Sequence, residues 1–285
     1  MTYALVLGGG GVTGIAWETG LLRGLREAGL DLTGADLIVG TSAGSVVGAQ
    51  VATGVPLDDM YLRQLTPAGA KEKPPDLGPL ADFFAARAGT LKSQVRPTAE
   101  VLAWIGGQAR AASVKVTEAT RLEVISGRLP VHEWPDRRLV VTAIDTADGA
   151  LAAWDRWSGV PLPLAVASSC AVPWVYPPVT INGRRYMDGG ARSATNADLA
   201  AGHELVVILA PSAGLGLTGV LEAEVAELRE GGAHVEVVGP DQPAMEAFGP
   251  NPLDPARRAR SAEAGMAQAP AAAEALAAAR GHVGG

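Results

Sequence analysis

Cysteine is almost missing from this chain. Cys170 stands alone among 285 residues, which excludes an internal disulfide and agrees with a reducing compartment, so a cytoplasmic location is the expectation. Charge is sparse as well: 19% of residues are Asp, Glu, Lys or Arg, against 48% hydrophobic, a balance that argues against intrinsic disorder. What charge there is leans acidic, 23 Lys and Arg against 30 Asp and Glu, for a net charge of −7. No basic stretch tracks a phosphate backbone, so nucleic acid is not an expected partner. Only four histidines occur, and no group of His, Asp and Glu has ligand spacing, so neither a metal nor a cofactor is expected. Uninterrupted apolar runs are few. Residues 37–57 and 157–183 lack charge over a membrane-spanning length. The first carries Thr41, Ser42, Ser45, Gln50 and Thr53, and the second is broken by Pro161, Pro163, Pro173, Pro177 and Pro178. Neither reads as a spanning helix. The opening MTYALVLGGGG lacks a basic region and reads as a strand entering a glycine loop, not as a leader. Membrane contact is then expected to be peripheral at most, with weak attraction to anionic lipid.

Glycine, by contrast, is abundant: 36 residues, nearly twice the usual ~7%. No G-X-Y period accompanies it, which excludes collagen and leaves turns, caps and site glycines. The length suits one large domain or two small ones, with roughly 75% of the extended-chain surface buried. The order of elements favours one α/β domain over residues 1–285. Residues 3–8 form an apolar β-type run, 15–28 have helical spacing, 36–40 form a second buried strand and 43–52 a small-residue helix. This β-α-β-α alternation predicts a three-layer α/β/α fold around a mainly parallel sheet. Residues 57–127 change character, with a Pro/Gly-rich loop at 67–79 and helical patterns near 81–88, 98–111 and 116–125, and read as a helical insertion lining the site. Strands resume at 138–144 and 150–154, followed by a hairpin over 179–187 turned by Asn182-Gly183. Further strands at 204–210 and 234–239 flank an amphipathic helix near 220–229, and an Ala-dense helix from 255 frays after 280.

Three motifs carry chemistry. The pentapeptide Gly40-Thr41-Ser42-Ala43-Gly44 lies between an apolar strand and a helix. A serine on such a turn exposes its hydroxyl at the positive end of the helix, and small neighbours relieve crowding. Gly9-Gly10-Gly11-Val12-Thr13-Gly14 follows the first strand and matches G-x-G-x-x-G. A dinucleotide site also requires an acid closing the second strand, and that strand closes here in Gly40-Thr41-Ser42. The Gly10 and Gly11 amides facing an oxyanion beside Ser42 is the favoured alternative. The third motif is Asp188-Gly189-Gly190, leaving the hairpin. A nucleophilic serine needs a base, and none of His132, His203, His234 and His282 has a suitable context. Asp188 is the better candidate, provided burial raises its pKa from near 4.

Together these motifs, with the run ASSCAVPWVYPPVTINGRRYMDGG, resemble the patatin-like phospholipase family over roughly residues 3–200. The resemblance implies a patatin-like fold with Ser42 as nucleophile, Asp188 as base, and Gly9, Gly10, Gly11 and Gly14 as the oxyanion loop. It implies a serine lipid acyl hydrolase working through a Ser–Asp dyad and an acyl-enzyme, with a lipid or other acyl ester as substrate. An acyltransferase on the same scaffold is the nearer alternative and a nucleotide-binding protein the more distant one. Thr13 departs from the pattern, since family members usually carry Arg or Lys there. Among lesser features, Trp154, Trp157 and Trp174 are candidates for an acyl pocket or for core packing, with packing favoured for at least two. Cys170 reads as a small buried residue, Arg184-Arg185 as a solvated hairpin face, and Asn196 as the cap of the next helix.

Overall fold

The computed structural model describes residues 2–67, 74–78, 96–213 and 218–281. The helical pattern near 81–88, most of the 67–79 loop, and His282 with the fraying end lie outside the described residues. Along the chain, β1 (Tyr3–Leu7), α1 (Gly11–Glu27), β2 (Leu37–Thr41), α2 (Ala43–Ala52) and α3 (Leu57–Leu65) come first. The next elements are α4 (Ala99–Ala111), α5 (Glu118–Arg128), β3 (Arg138–Asp145), β4 (Leu151–Trp154) and α6 (Leu162–Ser169). The hairpin β5 (Val179–Ile181) and β6 (Arg184–Asp188) leads through short 3₁₀ turns to β7 (Leu205–Leu209). The chain continues through α7 (Thr218–Glu230), β8 (His234–Val238) and α8 (Gln242–Phe248) to α9 (Arg258–Gly281).

The strands form one sheet in the order β5-β6-β3-β2-β1-β7-β8, with β4 also pairing β3. Strands β3, β2, β1, β7 and β8 run parallel, and β4 and β6 are antiparallel to β3. A parallel strand covered on both faces must be apolar at every position, and β1 is. Leu5 and Leu7 join the core shared with α1, α2, α5 and α6, while Ala4 and Val6 face the opposite core with Val206, Ile208 and Leu228. On that second face α4 adds Leu102, Ile105 and Ala109 over Ile144 and Met187. The three-layer α/β/α arrangement with a mainly parallel sheet is thus the one expected. Of the helices in residues 57–127, α3 packs on α1 and α9, α4 on β3 and β6, and α5 on α6.

Register positions the motifs. Leu7 sits opposite Gly40, so the loops leaving β1 and β2 emerge side by side. Thr41 pairs Thr142 on β3, and the next residue, Ala143, pairs Asp188 on the antiparallel β6. The hairpin turns at Asn182 and Gly183, both left-handed at φ 49° and 78°, as an Asn-Gly type I′ turn requires. Two helices were not expected from sequence: α6 and α8, which begin at or beside Pro161, Pro163 and Pro243. Proline is compatible with a first turn, whose N–H groups have no partner anyway. Helix α1 begins at Gly11, four residues before its apolar period does, so the glycine loop is the helix's own first turn. The uncharged stretches resolve into β2 with α2, and α6 with loops and β5. Among the described residues no helix is long and apolar enough to cross a membrane.

Helix α9 lies along α1 at a distance that only glycine permits. A Cβ at Gly20 would overlap the Ala262 carbonyl and sit 3.0 Å from the Met266 nitrogen. Gly20→Ala should therefore lower stability by about 1–3 kcal/mol, the usual cost of overpacking. Denaturant unfolding measures this, and a loss within the ~0.5 kcal/mol typical of neutral surface changes would contradict the close approach.

Candidate active site

Ser42 occupies the turn between β2 and α2 with a left-handed backbone, φ 53°, a conformation that costs a non-glycine residue about 1–3 kcal/mol. Local bonds hold it there. Its N–H donates to Ser169 Oγ at 2.8 Å, and its carbonyl accepts from Ser45 Oγ at 2.6 Å and from Cys170 Sγ at 3.2 Å. The turn also requires α2 to press on β1. Gly44 N–H donates to the Gly8 carbonyl at 3.0 Å, and a Cβ on Gly44 would overlap the Leu7 carbonyl.

Asp188 ends β6 and is 4% exposed. Its N–H donates to the Ala171 carbonyl at 3.0 Å, and its Oδ1 accepts from Gly190 N–H at 2.7 Å. Its Oδ2 is buried with no hydrogen-bond partner. Burial pushes the carboxyl up to about 7, opposed by the neighbouring Ser42 hydroxyl, the Gly190 amide and the Arg121 charge, in that order. The Ser42 hydroxyl thus lies beside this carboxylate but outside hydrogen-bond geometry. The sequence-predicted pair is brought together, and by one connecting segment: Ser169 and Cys170 bind Ser42, and Ala171 binds Asp188. The sequence reading did not single out Ser169. Its only signal was the run of small residues 167–171, the kind that fits beneath a crowded turn.

The glycine loop divides by use. Gly9 N–H donates to Ala194 O at 2.7 Å and Gly14 N–H to Gly10 O at 2.8 Å, so these two amides are spent on the frame. The Gly10 and Gly11 amides make no hydrogen bond with any described residue and lie at the start of α1, where the helix dipole favours an anion. Thr13 is fully buried, with its hydroxyl on Gly10 O at 3.3 Å and its amide on Pro252 O at 3.0 Å. It braces the loop.

Other candidates sort clearly. His132, His203 and His234 bind Ser126 O, Ala200 O and Glu236 respectively, away from Ser42. Cys170 is buried, its thiol pushed up to about 11 mainly by burial, so it is a structural residue. Trp154 packs edge-on against Tyr186 at 4.9 Å and donates to Ser168 Oγ, Trp174 packs beside α4, and Trp157 is 72% exposed. Arg184 pairs with Asp145 and Asp148 on the hairpin surface. No group of His, Cys, Asp or Glu among the described residues could hold a metal.

Asn196 corrects an expectation. It precedes the 3₁₀ turn Ala197–Ala200 but makes no capping bond with its side chain. Left-handed at φ 49° and fully buried, it donates from Nδ2 to Ser193 O at 2.8 Å, Thr41 Oγ1 at 3.1 Å and Gly189 O at 3.3 Å. Its Oδ1 accepts from Arg192, itself paired with Asp198. Thr41 precedes Ser42 and Gly189 follows Asp188, so this one amide ties the two together. Nearby, Glu224 on α7 accepts from Thr195 Oγ1 at 2.6 Å. On α1, Glu18 is fully buried with both carboxyl oxygens unpaired and is held well above the carboxylate range by burial.

One known family accounts for more than half of the chain. A family model described as patatin-like phospholipase matches residues 5–201. The chain is 46% identical over 68 residues to lysophospholipase nte1 of Aspergillus oryzae, covering 24% of this chain and 4% of that protein. It is 30% identical over 190 residues to an NTE family protein of Mycobacterium bovis, covering 66% of this chain and 42% of that protein. The chain thus spans less than half the length of these relatives. The crystal structure of VipD from Legionella pneumophila is similar at a TM-score of 0.44 and 14% identity, over 96% of this chain and 67% of that one.

Two outcomes follow from the buried pair. Because Asp188 holds its proton to about pH 7 in the fold and only to about 4 when unfolded, it weakens the fold as pH rises between those values and fully above them. The stability of Asp188→Asn relative to wild type should increase by up to about 4 kcal/mol between about pH 4 and pH 8. A pH-independent difference in denaturant unfolding would contradict this. Asn196→Ala should cost about 1–3 kcal/mol by stranding buried polar groups, read as a drop in thermal midpoint; an unchanged midpoint would show the tie to be dispensable.

Proposed function

The chain belongs to the patatin-like phospholipase family, and on that premise we propose that it is a serine lipid acyl hydrolase acting through Ser42 and Asp188. The observation that carries the reading is the free Oδ2 of a buried carboxyl, its pKa raised to about 7, beside a serine held on a left-handed turn. A base poised near the working pH combines the right protonation state with useful driving force.

In this mechanism Ser42 Oγ attacks the ester carbonyl carbon while its proton passes to Asp188 Oδ2. The carbonyl oxygen becomes an oxyanion and accepts the Gly10 and Gly11 N–H groups. Collapse expels the alcohol, which leaves with the proton from Asp188, and the acyl group remains on Ser42. Water enters, Asp188 takes its proton, and a second tetrahedral intermediate collapses to release the fatty acid and restore the serine. No histidine is required, because the carboxyl itself carries the proton both ways. The burial that destabilises the aspartate is what makes it basic enough. The family match supports a lipid ester as the substrate.

Ser42→Ala and Asp188→Asn should each lower kcat on a p-nitrophenyl ester and on a phospholipid by roughly 10³-fold or more, as removal of a nucleophile or its base does. The wild-type rate should rise with pH through about 7 as Asp188 loses its proton. Turnover near the wild-type level in either variant would remove the dyad.

A further inference from the structure

A cavity of about 140 Å³ opens beside the nucleophile helix, lined by Val12 and Ile15 of α1, Val46 and Gln50 of α2, Arg63 and Gln64 of α3, and Arg128 and Arg258. Three apolar side chains, Val12, Ile15 and Val46, and three guanidinium groups line it, in a chain whose net charge is −7. Arg63 and Arg128 make no ion pair with any described residue, and Arg258 donates to the Thr66 carbonyl at 2.7 Å. Arg63 and Arg128 lie in the last turns of α3 and α5, where helix carbonyls favour a cation. That explains Arg63 and Arg128 singly but not the convergence of three arginines on one cavity.

A second observation points into the same space. Gln50 is 4% exposed, its Nε2 is fixed on the Arg128 carbonyl at 2.7 Å, and its Oε1 is buried without a partner. That oxygen seeks a donor such as a hydroxyl. The cavity is also near the reacting centre. Val46 and Gln50 follow Ser42 by one and two turns on the same face of α2, about 6 and 12 Å along the axis, and Val12 adjoins Gly11. The Arg128 charge is felt at the Cys170 thiol, which itself touches the Ser42 carbonyl.

We propose that this cavity is an anion subsite that holds the phosphate of a phosphoester lipid while Ser42 meets its acyl ester. A phosphate carries close to two negative charges at neutral pH, and arginine forks match its oxygens. The volume suits a compact head group and falls below the roughly 300–1,000 Å³ that engulfs larger ligands. The Gln50 carbonyl accepts a hydroxyl of the bound head group. The cations that Thr13 does not supply come from three other elements. The role in substrate choice rests on the hydrolase reading; the binding of the anion does not.

The test has two arms. In the first, Ser42→Ala protein is titrated by calorimetry with glycerol 3-phosphate, inorganic phosphate and glycerol. Glycerol 3-phosphate should bind tightest and glycerol not at all, and Arg128→Gln and Arg63→Gln should each weaken binding at least tenfold. Arg63 is exposed, so Arg63→Gln keeps the arm readable if Arg128→Gln fails to fold. Equal binding of inorganic phosphate would overturn the head-group assignment in favour of a free-phosphate site, and binding that survives both substitutions would overturn the subsite. In the second arm, kcat/KM on a monoacylglycerol phosphate should exceed that on the matching monoacylglycerol at least tenfold, and Arg63→Gln with Arg128→Gln should bring the ratio toward one. A ratio unchanged by the arginines would overturn the proposal. Binding of glycerol 3-phosphate without hydrolysis of either ester would sink the hydrolase reading and leave the subsite standing.

Discussion

The reversal of the backbone at Ser42 is the constraint on which the rest depends. A parallel strand ends, the chain turns left-handed at one residue, and a helix runs back over the sheet. The turn is tenable only because α2 can press onto β1 at Gly44, and because Ser169, Ser45 and Cys170 bind the polar groups of Ser42. Strain at such a site is held by surroundings that over-determine it. The same turn sets Ser42 beside the buried carboxyl of Asp188.

A second cost is set against the first. Asp188 is buried with one oxygen unpaired, an arrangement that stability alone would not retain. It sits there because β6 runs antiparallel beside β3, which places Asp188 next to the register position of Thr41. The Asn196 amide then binds the neighbours of both residues, so the spacing of hydroxyl and carboxyl is set by a buried polar network and not by long flexible side chains.

The mainly parallel sheet and the two loops leaving β1 and β2 were largely legible, because a parallel sheet covered on both faces writes itself as continuous apolar runs such as ALVL and LIV. The Asn182-Gly183 turn was legible for a local reason, its need for two left-handed residues. Helices α6 and α8 were not, since proline at their starts reads as a break when its compatibility with a first turn is overlooked. Asn196 was misread as a cap because capping is what that residue type does locally. Its actual partners, Thr41 and Gly189, are 155 and 7 residues away. Ser169, Arg121 and the convergence of Arg63, Arg128 and Arg258 were invisible for the same reason: each depends on distant segments meeting, and periodicity carries no such information. The three motifs, by contrast, lie each within a short stretch and each demands special backbone, which is why glycine marks them.

The central claim is that a buried aspartate alone activates Ser42. The most direct measurement is the pH dependence of labelling by a fluorophosphonate, with the modified residue located by mass spectrometry. A single adduct on Ser42 is expected, formed at a rate that rises through about pH 7 and collapses in Asp188→Asn. Labelling of another residue, or a rate on Ser42 indifferent to pH and to Asp188, would contradict it.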